Sequence, residues 1–84
     1  MKFKVQVAVR LKKSVLDPQG AAVERALKSH GHQGLGSVRI GKLIEMEVEG
    51  DRAGNVEALV TAWADQFLAN PVLETFSVHL EPDS

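Results

Sequence analysis

The stretch Val15-Leu16-Asp17-Pro18-Gln19-Gly20 decides how the chain reads, because it joins a strand pattern to a helix pattern. Asp17 suits the N-cap, where its carboxylate accepts an orphan amide of the first helical turn. Pro18 suits the first helical position, where its missing N–H costs nothing. Gly20 leaves the first turn bare, so a neighbouring backbone can come close.

Upstream, Phe3, Val5, Val7, Val9 and Leu11 alternate with Lys2, Lys4, Gln6, Ala8 and Arg10, the pattern of a half-buried strand. Downstream, Val23, Ala26, Leu27 and His30 form one helical stripe, with Glu24 and Lys28 paired i,i+4 outside it. Gly31 stands where a left-handed residue ends a helix.

Between Ser37 and Gly50, Val38, Ile40, Ile44, Met46 and Val48 share one parity, and Arg39, Glu45, Glu47 and Glu49 the other. Two structures fit. A three-residue turn at Gly41-Lys42-Leu43 makes a hairpin, or the segment is one long strand that reaches towards a second protomer. Val56, Leu59, Val60, Trp63, Ala64, Phe67 and Leu68 then follow the helical period, with Asp51 or Asn55 as a cap and Pro71 as the stop. Trp63 and Phe67 are both expected in the core. A last strand carries Phe76, Val78 and Leu80, and residues 81–84 are expected to fray.

The order is β-α-β-(β)-α-β. It predicts an α+β fold, a two-layer sandwich with two helices on one face of a mostly antiparallel sheet, in a single domain over residues 1–84. At 84 residues the chain is marginal alone, which favours an oligomer. Dimer and tetramer both fit.

Composition excludes several classes of chemistry. There is no cysteine, so neither disulfides nor thiolate chemistry is available. The formal net charge of -1 gives no general pull on nucleic acid or an anionic membrane. No apolar run is long enough to span a bilayer, and a cytoplasmic location is expected. His30, His32 and His79 show no metal-ligand spacing. Gly31, Gly34 and Gly36 leave a helix and enter a strand, the reverse of a dinucleotide fingerprint. Glu45, Glu47 and Glu49 point one way from a strand, where they face Arg39, Lys4 or Arg10 rather than flank a scissile bond. No catalytic, cofactor-binding or metal residue is assigned.

Three segments carry a resemblance: Val15 to Gly20, then Val38-Arg39-Ile40-Gly41-Lys42, then Leu68-Ala69-Asn70-Pro71-Val72-Leu73-Glu74. Together they resemble the PurS family, the small subunit of multi-subunit phosphoribosylformylglycinamidine synthase. The resemblance implies a non-catalytic subunit, an oligomer that bridges a glutaminase subunit and a synthase subunit. That assembly uses glutamine and ATP to convert formylglycinamide ribonucleotide into formylglycinamidine ribonucleotide in purine synthesis. ATP and Mg are implied on the synthase subunit, with no cofactor on this chain. Asp17, Gln19, Gly20, Arg39 and Lys42 are the candidate partner-interface residues. The alternative is a free-standing regulatory domain of similar topology that binds a small molecule.

Overall fold

The computed structural model describes residues 1–83. Its elements are β1 (Lys2–Leu11), α1 (Pro18–Ser29), β2 (Lys42–Glu49), α2 (Ala53–Trp63) and β3 (Glu74–Asp83). The three strands form one antiparallel sheet in the order β2-β1-β3. The central strand has neighbours on both edges, so its alternation is the cleanest. Phe3, Val5, Val7 and Val9 are each no more than 2% exposed, whereas Lys2, Lys4, Gln6 and Arg10 face water.

The register aligns the apolar parities. Val5 lies opposite Met46 on one side and Leu80 on the other, and Val7 lies opposite Ile44 and Val78. α2 covers this face with Val56, Val60 and Ala64, spaced by four along one stripe. Beyond Trp63 the helix widens into one π-helical turn, Ala64–Leu68, closed by the Ala69 amide donating to the Ala64 carbonyl at 2.9 Å. The extra residue in that turn re-aims the stripe. Leu68 and Ala69 pack on the core, while Phe67 swings out and is 77% exposed. The period of 3.6 that placed Phe67 inside stops at Ala64. Neither Asp51 nor Asn55 caps α2. They bond each other instead, and Arg52 holds the cap position without a side-chain bond.

The α+β class and the antiparallel sheet agree with the sequence reading. Of the two structures that fit residues 37–50, the hairpin does not form: β2 is a single strand paired with β1 over Lys42–Glu49, and residues 37–41 run into it outside the ladder. Two details differ from the reading. Residues 81–83 do not fray. β3 continues through them, with Glu81 opposite Lys4 and Pro82 opposite Phe3, while Ser84 lies outside the described residues. Finally, only α2 lies on the sheet. α1 contributes no side chain to the core, and Val23 and Leu27 on its stripe are each 39% exposed.

The reason lies in the connections. α1 leaves the end of β1, and the chain turns back through a left-handed Gly31 (φ 93°) and Ser37 (φ 55°). The His32 amide reaches the Leu27 carbonyl at 3.1 Å, a Schellman closure of α1. Residues 37–41 then return beside α1 into β2. Together α1 and this return segment form an arm projecting from the sheet. The Cα radius of gyration is accordingly 16.2 Å, against about 12 Å for a compact chain of this length.

Candidate functional site

The base of the arm is where the sequence-predicted residues meet. Asp17 caps α1 through Oδ1, which accepts from the Gly20 amide at 3.0 Å. Its other oxygen accepts from the Ile40 amide at 2.8 Å. Asp17 is 5% exposed, the one buried charged residue among those described. Arg39 Nε stands 4.0 Å from Asp17 Oδ2, and Nη2 donates to the carbonyls of Leu11, Lys12 and Val15 at 3.1, 2.9 and 3.3 Å. The guanidinium therefore ties the return segment to the loop that leaves β1. Gly20 is the contact point. A Cβ there would stand 2.2 Å from the Val38 carbonyl oxygen.

Glu24 completes the joint. One carboxylate oxygen accepts from the Val38 amide at 3.2 Å, and the other pairs with Lys28 at 3.1 Å. The sequence shows only the Lys28 pairing. The contact with Val38 spans 14 positions and has no local signature, so no pattern could have found it.

Electrostatics follow from these bonds. The Gly20 amide, then the Ile40 amide, hold the Asp17 carboxyl below its ordinary range; burial opposes them and the Arg39 charge assists. The Val38 amide, then Lys28, lower Glu24 in the same way. A carboxyl lowered in the folded state stabilises at pH above its unfolded value and loses that contribution as pH falls through the folded value. The stability gap between the wild type and Asp17→Asn is therefore expected to narrow as pH drops below about 4. Urea denaturation across that range checks this, and a gap that widens in acid contradicts it.

Gln19 and Lys42 are exposed and use none of these bonds. They line a shallow groove of about 400 Å³ with Asp17, Ile40 and Gly41. The structure thus gathers all five predicted residues at one place, with two distinct roles: Asp17, Gly20 and Arg39 build the joint, and Gln19 and Lys42 stand on its rim.

The open sheet face is a second polar region. Lys4 lies between Glu47 and Glu81, and Gln6 lies between Glu45 and His79. Glu47 faces Lys4 as the alternation suggests, but Arg39 is in the arm and takes no part. His79 Nε2 is 3.3 Å from Glu81, with both side chains largely exposed. Among the described residues no three His, Asp or Glu side chains converge where a metal ion could sit, and no helix is long and apolar enough to cross a membrane.

Comparison with known proteins gives a consistent result. A family model described as PurS, phosphoribosylformylglycinamidine (FGAM) synthase, matches residues 4–82. Phosphoribosylformylglycinamidine synthase subunit PurS of Bacillus subtilis is 44% identical over 80 residues, covering 94% of this chain and 93% of that protein. The solved structure of B. subtilis PurS in a C2 crystal form superposes with a TM-score of 0.79 at 43% identity, over 95% of this chain and 99% of that one. A chain in the structure of PurLQS from Thermotoga maritima superposes with a TM-score of 0.87 at 30% identity, over 96% and 99% of the two chains.

Proposed function

This chain belongs to the PurS family, and from that premise we propose that it is the non-catalytic bridging subunit of a phosphoribosylformylglycinamidine synthase. Its partners are a glutaminase subunit, a synthase subunit and further copies of itself. The glutaminase releases ammonia from glutamine. The synthase binds ATP and Mg, and uses the ammonia to turn formylglycinamide ribonucleotide into formylglycinamidine ribonucleotide. The small subunit holds the two together in the cytoplasm, so that ammonia passes between them at high effective concentration.

One observation carries this reading. Asp17 and Arg39, two of the polar residues at the base of the arm, are committed to backbone groups of the chain itself. Both Asp17 oxygens accept backbone amides, and the Arg39 guanidinium donates to three carbonyls. A catalytic group needs a lone pair or proton aimed at a substrate, whereas Asp17 is buried and both side chains point into backbone groups of the joint. The joint sets shape, and shape is what a bridging subunit supplies. Gln19 and Lys42, free on the rim beside it, are the side chains that reach a partner subunit.

The assembly itself is the test. The glutaminase and synthase subunits, mixed with this chain, are expected to sediment as one three-component complex with glutamine present. Mixed without it, the same two subunits should sediment apart. A two-subunit complex of unchanged affinity in its absence contradicts the bridging role.

A further inference from the structure

The open face of the sheet is segregated by charge. At one end carboxylates alternate with cations: Lys4 lies between Glu47 and Glu81, and Gln6 between Glu45 and His79. At the other end, where β1 runs into the base of the arm, Arg10, Leu11, Lys12, Lys13, Arg39 and Thr75 line an open pocket of about 500 Å³. Four of the chain's ten Lys and Arg side chains stand there, and none of its eleven Asp and Glu. The whole chain has a formal net charge of -1, so this concentration of one sign is a local product of the fold.

The surrounding carboxylates do not neutralise it. Among the described residues none lies within 4.0 Å of Arg10, Lys12 or Lys13. Glu45 stands opposite Gln6, four residues along β1 from Arg10, which is about 14 Å at the rise of an antiparallel strand. Exposed charges are largely screened beyond about 8 Å at physiological ionic strength. Glu74 lies opposite Leu11, on the other parity, and its Oε1 accepts from the Asn70 amide at 2.7 Å. Asp17 is paired with a lining cation, at 4.0 Å from Arg39 Nε, but it serves that one guanidinium. Three crowded cations are left without a counter-charge.

The pocket is also held in shape. Arg39 Nη2 donates to the Leu11, Lys12 and Val15 carbonyls, which fixes the guanidinium, and the side chain is still 30% exposed. Its Nη1 and the Lys13 amide have no partner among the described residues. The Lys12 amide donates to the Leu73 carbonyl at 2.9 Å, so the loop that carries both lysines is pinned to the approach of β3. Thr75, opposite Arg10, adds a hydroxyl.

This donor set identifies the chemistry of the occupant. A cleft lined by one sign of charge focuses its potential on a counter-ion. Guanidinium N–H groups match the oxygens of a phosphate, and ammonium groups add charge from any direction. A phosphate group carries close to two negative charges at neutral pH, so it offsets the crowding better than a single carboxylate does. The volume lies within the range of small-molecule sites, about 300–1,000 Å³.

We propose that this pocket binds the phosphate group of a phosphorylated small molecule, with Arg10, Lys12, Lys13 and Arg39 as its cations. The proposal stands apart from the bridging role, because it concerns the chain alone.

The test is calorimetric titration of the intact chain with inorganic pyrophosphate and with ribose 5-phosphate, at an ionic strength held constant with chloride. Saturable binding of at least one probe is expected, with a dissociation constant below about 1 mM. Tighter binding of pyrophosphate assigns a diphosphate ligand and tighter binding of ribose 5-phosphate a monoester, and either supports the site. Lys12→Gln with Lys13→Gln removes two side chains that make no bond within the chain, so the fold should hold. Affinity is expected to fall at least about tenfold, whereas Lys2→Gln with Lys4→Gln, an equal loss of charge at the far end of the face, should stay within about twofold. Should the Lys12 and Lys13 variant melt early, Arg10→Gln reads the same loss from β1. No saturable binding of either probe up to about 10 mM overturns the proposal, as does affinity that the Lys12 and Lys13 pair leaves unchanged, or that both pairs lower equally.

Discussion

Gly20→Ala is expected to destabilise the chain by about 3 kcal/mol, although alanine is the better helix former by about 1 kcal/mol. The added Cβ would stand 2.2 Å from the Val38 carbonyl oxygen and 2.8 Å from Asp17 Oδ2. Neither neighbour can yield easily. Val38 is held through its amide by Glu24, and the Asp17 carboxylate is fixed between the Gly20 and Ile40 amides. Relief requires the return segment to move off α1, which breaks the bonds to Val38 and Ile40 and pulls Arg39 away from Leu11, Lys12 and Val15. The arm then loses its direction along with its stability. A fall in Tm of more than about 10 °C is expected for a chain of this size. Gly34→Ala and Gly36→Ala meet nothing within 4 Å and serve as controls that leave Tm unchanged. If Gly20→Ala melts within about 2 °C of the wild type, the close approach is not what fixes the arm.

The parts of the fold that were legible in the sequence are those set by local periodicity. The alternation from Phe3 to Val9 marked the buried face of β1, and Asp17-Pro18 marked the start of α1. Gly31 closed α1 in the left-handed conformation its position suggested. The 3.6 period puts Phe67 inside, but a π-helical turn shifts the stripe by one residue, and nothing in the spacing of Ala64–Leu68 announces it. Placing α1 on the sheet failed for a different reason. An amphipathic stripe says that a helix has an apolar partner, but not whether that partner is in the same chain.

The candidate site was legible by residue and illegible by role. Asp17 is the N-cap its position suggests, but its second oxygen holds Ile40 from 23 positions away. The alternation sets Arg39 across from the glutamates of the next strand. Arg39 works instead through backbone carbonyls of the loop after β1. Both roles depend on residues 37–41 returning beside α1. That return is set by Ser37, a non-glycine residue in the left-handed region, whose conformation no composition rule predicts.

The other large effect expected is on turnover by the whole assembly. Ammonia released in one subunit must reach a second active site before it escapes into bulk solvent. A bridge that holds the two sites in register replaces a bimolecular encounter with a transfer inside one complex. Free ammonia supplied in excess bypasses that need. The most direct measurement is therefore the rate of formylglycinamidine ribonucleotide formation by the two large subunits, with and without this chain, using either glutamine or ammonium as nitrogen source. Omitting the chain should lower the glutamine-dependent rate at least about tenfold while the ammonium-dependent rate stays within about twofold. An undiminished glutamine-dependent rate without the chain would contradict the account, as would an equal loss with both nitrogen sources.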